Sequence, residues 1–283
     1  MKFNYILLVL FVIILMCALY VNTTKEGNSE NIVISLTTSP NRISKIEQVL
    51  DRIMNQTVVP SAIVLNLPFV FKRTSEKFGE IPQFIASNPI IKINRCEDIG
   101  PSTKVLPTSE LFTDPETIII SIDDDTLYKE TMIETLLHYH RLFPETVITG
   151  LDHFLKIDTP SNIDTSKIPQ NMHFSEFIEG YSGVLYTKDI LDKINISKEY
   201  IESIPNYCFQ ADDFIISNYL VKHKIPIFTV GLDKTIETQL EYGYGTDALH
   251  AGANGTNSGN QDNYEKCTSY MQSISDYHFV NIV

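Results

Sequence analysis

The chain is 283 residues long and carries 22 Lys and Arg against 35 Asp and Glu, a formal net charge of −13. That balance, without any basic stripe, excludes a nucleic-acid-binding surface, and a phosphate-bearing ligand would have to be held through a cation. With no internal repeat, low-complexity tract or Pro/Ser-rich linker, the about 250 residues past the N-terminal segment suit one domain with a filled core.

From Phe3 to Val21 the chain is almost wholly apolar, with Lys2 in front and Asn4 as the strong polar interruption. About 19 such residues approach the length that spans a bilayer and exceed a usual signal-peptide core. Residues 1–22 are therefore expected to form a signal anchor, because Ala18 and its neighbours make a poor cleavage pattern. Lys2, the one charge before the run, favours a short cytoplasmic tail with the rest of the chain across the membrane, a type II arrangement. Residues 23–31 (TTKEGNSEN) read as a polar stem, and 32–283 as the domain, extracytoplasmic on this reading. Cys17 falls in the apolar run, leaving Cys96, Cys208 and Cys267, of which three cannot all pair and none has the CxxC spacing of a zinc site. A lumenal domain would allow one disulfide, with Cys208–Cys267 the favoured pairing. Asn22, Asn55, Asn195 and Asn254 each open an N-x-S/T sequon, which is compatible with that placement.

Strand-like runs then alternate with helical periodicity, the pattern of a mainly parallel sheet flanked by helices. Ile32–Leu36 reads as a strand. Ile46, Val49, Leu50, Ile53 and Met54 recur at helical spacing. Ala62–Leu67 and Ile90–Ile93 are further strands, and Thr117–Ile122 is a buried one that ends in Asp123, Asp124 and Asp125. A helix with Met132, Ile133, Leu136 and Leu137 on one face stops before Pro144, and Thr146–Thr149 is another strand. Residues 151–182 show no clear period and are expected to be an irregular excursion that recognises an acceptor, with His153, His173 and Glu176 as its polar features. Val184–Tyr186 is a short strand, Asp212–Val221 a helix, and Ile225–Val230 a last strand before a Gly-, Asn- and Tyr-rich stretch and a weakly amphipathic C-terminal segment.

The acidic triplet carries the chemistry. In an extended chain Asp123 and Asp125 point the same way and Asp124 the other. Two like charges that close are unfavourable unless a cation lies between them, so a divalent-metal site holding an anionic substrate is expected. A calcium loop is excluded, because Tyr128 stands where the required glycine would be, despite Glu134 at the twelfth position.

This order of features resembles the GT-A glycosyltransferases of family-2-like kind, Rossmann-like enzymes that use nucleotide-sugar donors, and the resemblance runs from Ile32 to about Tyr270. SIDDDTLY resembles their D-x-D motif, GYSGVLY the glycine-containing segment beside the donor sugar, and QADDF the acidic element at a helix N-terminus. TDALHAG carries a late histidine, and LTTSPNRIS and EDIGPSTKVLP resemble nucleotide-binding segments. The resemblance implies Asp123 near ribose and metal, Asp125 as direct metal ligand, and His250 completing the metal shell. Thr38, Arg42, Asp98, Lys104, Asp124 and Gly183 would serve donor binding, with Gly180 also permitting backbone approach and Asp98 reaching the base or ribose. Asp124 is also the member of the triplet most expected to be structural. Asp212 takes the place of the usual glutamate, and Asp213 becomes the base of an inverting transfer. The implied cofactors are Mn²⁺ or Mg²⁺ with a nucleotide sugar, a UDP-sugar first, and the acceptor a hydroxyl of a glycan, lipid or protein. A sugar nucleotidyltransferase is disfavoured because TTSPNRIS lacks the glycine-rich loop of that class. A non-catalytic, membrane-anchored carbohydrate-binding protein would differ in surviving the loss of Asp125.

Overall fold

Apolar runs with no polar face become the middle of a sheet, because only a strand covered on both sides can bury every residue. The computed structural model describes residues 30–151, 157–161, 163, 164, 166, 168–244 and 260–280, and within it Ile32–Val283 makes one compact unit. Its strands are β1 (Ile32–Thr37), β2 (Ala62–Pro68), β3 (Ile91–Cys96), β4 (Ile118–Ser121) and β5 (Thr126–Tyr128). They continue with β6 (Val147–Thr149), β7 (His173–Ser175), β8 (Val184–Thr187), β9 (Ile227–Thr229) and β10 (Ile236–Gln239). Eight of them form one sheet in the order β3-β2-β1-β4-β8-β6-β9-β7, and β5 pairs with β10 in a separate antiparallel ribbon. The neighbours from β3 to β4 are parallel, as are β6 and β9, whereas β8 and β7 run against their neighbours. The result is an α/β fold with a mainly parallel central sheet.

Period-two alternation divides the strands between two apolar layers. Ile32, Ile34 and Leu36 of β1 and Ile118 and Ile120 of β4 pack with helices α1 (Glu47–Met54) and α2 (Met132–Leu142). Ile119, Val184 and Tyr186 face the other way, towards α3 (Lys188–Ile194), α4 (Asp212–Lys222) and α5 (Asn260–Ser273). Local chemistry sets the helix ends. The Thr187 hydroxyl accepts the Ile190 N–H at the start of α3, and Asn195 ends it in the left-handed region at φ 42°.

Three expectations change. Residues 151–182 are not irregular throughout, because His173–Ser175 pairs with β9 as the sheet's edge strand. β3 continues past Ile93 to Cys96, its polar residues tolerated because one edge faces solvent. The ribbon β5–β10 was not foreseen, since three- and four-residue runs carry no readable period. The Cys208–Cys267 disulfide is present and ties α5 to the short helix Asn206–Phe209, while Cys96 stays a free thiol. Among the described residues no helix is long and apolar enough to cross a membrane, and the apolar run Phe3 to Val21 lies outside them.

Candidate active site

The acidic residues gather where β1 and β4 end. β4 stops at Ser121, so Asp123–Asp125 lie in a turn rather than on a strand, and the ribbon β5–β10 follows at once. The antiparallel β8 starts beside that turn, with Ser121 opposite Val184, and so brings the short helical turn Gly180–Ser182 alongside. Tyr128, fully buried, clamps the two segments: its hydroxyl accepts the Asp123 N–H at 2.9 Å and donates to the Tyr181 carbonyl at 2.9 Å. Lys104 arrives on another short turn, Ser102–Lys104, held from below by buried polar residues. The Ser35 hydroxyl donates to the Lys104 carbonyl, and Asn66 Nδ2 donates to the Thr108 hydroxyl at 2.8 Å. Such a network is stabilising only because its members are satisfied.

Two cations divide five carboxylates. Lys104 Nζ lies 3.0 Å from Asp123 Oδ1, 3.1 Å from Asp212 Oδ2 and 3.9 Å from Asp213 Oδ1. Arg42 Nη1 lies 3.0 Å from both Asp124 Oδ1 and Asp125 Oδ2, and its Nη2 donates to the Tyr242 carbonyl at 3.2 Å. Thr38 donates its hydroxyl to Asp124 Oδ2, and the Tyr242 hydroxyl donates to the Asp124 carbonyl at 2.7 Å. Asp213 Oδ1 accepts the Gly180 N–H at 3.0 Å. A side chain at Gly180 would place its Cβ 2.3 Å from Lys104 Nζ and 2.7 Å from Asp213 Oδ1, so a larger residue here would push those two charged ends aside.

The charges do not cancel: two cations against five carboxylates leave three negative charges in excess. Proton affinities follow. Asp124 is pushed up to about 6, by burial first and by Asp125, with Arg42 and the Thr38 hydroxyl working against the shift. Burial and Asp123 raise Asp125 despite Arg42. Burial and then Asp212 raise Asp213 well above the usual carboxylate range, against the opposing pull of Lys104. Burial works against the Lys104 charge, yet Asp123, Asp212 and Asp213 outweigh it and hold the ammonium firmly protonated.

The structure thus brings together Thr38, Arg42, Lys104, Asp123, Asp124, Asp125, Gly180, Asp212 and Asp213. It corrects the reason for pairing Asp123 with Asp125, because the strand ends before the triplet: Asp124 and Asp125 share Arg42, and Asp123 turns to Lys104. Lys104 therefore meets carboxylates first, rather than standing free for a phosphate. Asp98 spends its oxygens on backbone, accepting from Lys72 N at 2.6 Å and Gly100 N at 2.8 Å. Gly183 is needed for its conformation, φ +84°, and a Cβ there would meet only ordinary contacts. His250 and His153 lie outside the described residues. Sequence reasoning missed Tyr128, Tyr242 and Gly243, where a Cβ would fall 2.9 Å from Asp125 Oδ2. The one signal for Tyr242 and Gly243 was the Tyr–Gly repetition after Gln239.

Carboxylate oxygens and excess negative charge fit a hard divalent cation of the kind held by one or two carboxylates together with substrate phosphates. Among the described residues no three His, Cys, Asp or Glu side chains converge as a complete ligand group. Asp123 and Asp125 carry oxygens of the type such an ion takes, and each now pairs with a cation, Lys104 and Arg42 in turn.

No protein-family model matches the sequence, and no curated protein matches it. Solved structures similar to it include the mannosyltransferase PcManGT from Pyrobaculum calidifontis in complex with GDP-Man and Mn²⁺, at 13% identity and TM-score 0.48 over 77% of this chain. The chain spans 59% of that mannosyltransferase. A 4-diphosphocytidyl-2C-methyl-D-erythritol synthase is similar at 13% identity and TM-score 0.37, over 61% of this chain and 83% of the other. At these values neither assigns an activity to the chain.

Proposed function

We propose that the chain is a metal-dependent glycosyltransferase that moves a sugar from a nucleotide sugar, a UDP-sugar first, to a hydroxyl of a glycan, lipid or protein. The observation that carries this reading is the under-neutralised cluster of five aspartates at the ends of β1 and β4, with a glycine-lined approach to Asp213 beside it. Asp123 and Asp125, with His250, would hold Mn²⁺ or Mg²⁺. When bound, that ion would offset the charge that grows on the departing nucleoside diphosphate. Arg42 and Thr38 orient the carboxylates of the triplet and border the donor. Lys104 pairs with Asp123 and Asp212 and holds them at this edge. Asp213 would accept the proton of the attacking hydroxyl at a carboxylate oxygen. Its raised proton affinity suits a base, since proton uptake is more favourable than for an ordinary aspartate. Attack from the face opposite the leaving group gives inversion. The Cys208–Cys267 disulfide supports work in an oxidising compartment, as a type II anchor over residues 1–22 would provide.

The test is nucleoside diphosphate release by the full chain from a panel of nucleotide sugars, with and without Mn²⁺. Release that needs the metal and drops at least about a hundredfold in Asp213→Asn is expected. No release from any donor, together with no thermal shift from nucleotide plus metal, sinks the reading.

A further inference from the structure

The loop that leaves β2 carries apolar groups that the fold does not bury. Phe69 is 50% exposed and Val70 39%, and Ile93 on the edge strand β3 is 39% exposed. They belong to one surface. The Arg95 guanidinium lies over the rings of both Phe69 and Phe78, 5.6 and 5.7 Å from their centroids, and Ile93 stands two residues before Arg95 on the same face of β3. Phe71 and Glu76 pair across the loop, and Arg73 lies over the Phe71 ring at 5.3 Å. The loop is thus ordered by its own contacts, with cations set among aromatic rings.

Charge separates this surface from the rest of the chain. Lys72, Arg73, Lys77 and Arg95 stand against one carboxylate of the loop, Glu76, and against Glu202, which lies 3.1 Å from Lys72, in a chain of net charge −13. Exposed apolar side chains among lysines and arginines suit the boundary of an anionic bilayer, where rings enter the headgroup region and cations meet lipid phosphates. A second copy of the chain suits the surface less, because pairing β3 with itself would set Lys92 and Arg95 against the same cations of the other copy. The loop begins where β2 ends, and β2 runs parallel to β1 and β1 to β4, so it lies at the edge of the sheet that carries the aspartate turn. The apolar run Phe3 to Val21, read above as an anchor, would keep a bilayer within the about 30 Å that the extended stem can reach. We propose that Phe69, Val70 and Ile93, with the cations of their loop and Arg95, dock on an anionic lipid surface and turn the carboxylate edge of the sheet towards it. This goes beyond the transferase reading and stands without it.

The chain holds no tryptophan, so Phe69→Trp installs a single fluorescent reporter and keeps an aromatic ring in place. The test uses the full chain carrying it in nanodiscs of phosphatidylcholine, alone or mixed with phosphatidylserine, with dibrominated acyl chains as quenchers. Quenching should be at least about twofold stronger in the anionic discs, and Lys72→Glu combined with Lys77→Glu should cancel that difference. The control is Val280→Trp, at a residue that is 76% exposed, where the brominated chains should quench little. A reporter at position 69 that brominated lipid leaves unquenched overturns the proposal; if its emission is also shifted to the blue, a second copy or another segment of the chain covers the surface instead. Equal quenching in the Val280→Trp control, or quenching indifferent both to phosphatidylserine and to the two charge reversals, overturns it as well.

Discussion

Burial opposes the ionisation of Asp124, and this gives the site a pH signature. The Asp124 carboxyl sits at about 6 in the folded protein against an ordinary 3.8, because burial and Asp125 outweigh Arg42. The folded state therefore binds the proton more tightly than the unfolded one. The stabilisation from that proton is complete below the ordinary value and is lost as pH rises through about 6, a swing of roughly 3 kcal/mol. Asp125 shifts in the same direction. In metal-free protein, wild type should therefore lose stability relative to Asp124→Asn as pH rises from about 4 to about 7, read from denaturant midpoints at each pH. A pH-independent difference would show that Arg42 neutralises the pair fully. The residue types of this cluster were legible in the sequence, because three carboxylates after a buried strand stand out. Their partners were not. Arg42 lies 82 residues from Asp124, and no local rule decides which carboxylate it meets.

The elements that the sequence announced are β1, β2, β4, α1 and α2, with long or unbroken apolar patterns, and also β6, β8, β9 and α4 at slightly shifted bounds. Those it hid are short or edge-placed. β7 spans three residues, too few to show a period; it pairs with β9 on one side and, among the described residues, Ile157 bridges to Phe174 on the other. The ribbon β5–β10 is as short, yet it fixes the aspartate turn: the Leu240 N–H donates to the Asp125 carbonyl at 2.8 Å. The C-terminal stretch looked weakly amphipathic because α5 is only partly apolar; a covalent bond helps to hold it. Cys208 and Cys267 are separated by 59 residues in the chain, and closing such a loop stabilises by about 4 kcal/mol on a chain-entropy account. Cys208→Ser should accordingly lower unfolding stability by about 2–4 kcal/mol in urea titrations. Equal stability of oxidised and reduced protein would contradict that account.

Across the whole molecule, the mainly parallel sheet collects side chains from β1, the Ser102–Lys104 turn, the aspartate turn, the Gly180 turn and the start of α4 at one edge. Each contributor is ordinary alone; an acidic pair at a helix start, for instance, needs no more than the helix dipole to explain it. Their convergence on Lys104 and Arg42 is what separates a site from a set of surface charges. The same convergence leaves negative charge in excess, which the fold tolerates by raising proton affinities. A bound divalent cation would relieve that excess, and Arg42 would have to share Asp125 with it. Anomalous diffraction from crystals of the protein soaked with Mn²⁺ and UDP locates the metal at this edge or elsewhere. A manganese peak is expected within about 2.5 Å of carboxylate oxygens of Asp123 or Asp125, next to the diphosphate. Manganese bound elsewhere, with Asp125 still closed on Arg42 and no nucleotide at this edge, would contradict a metal site here.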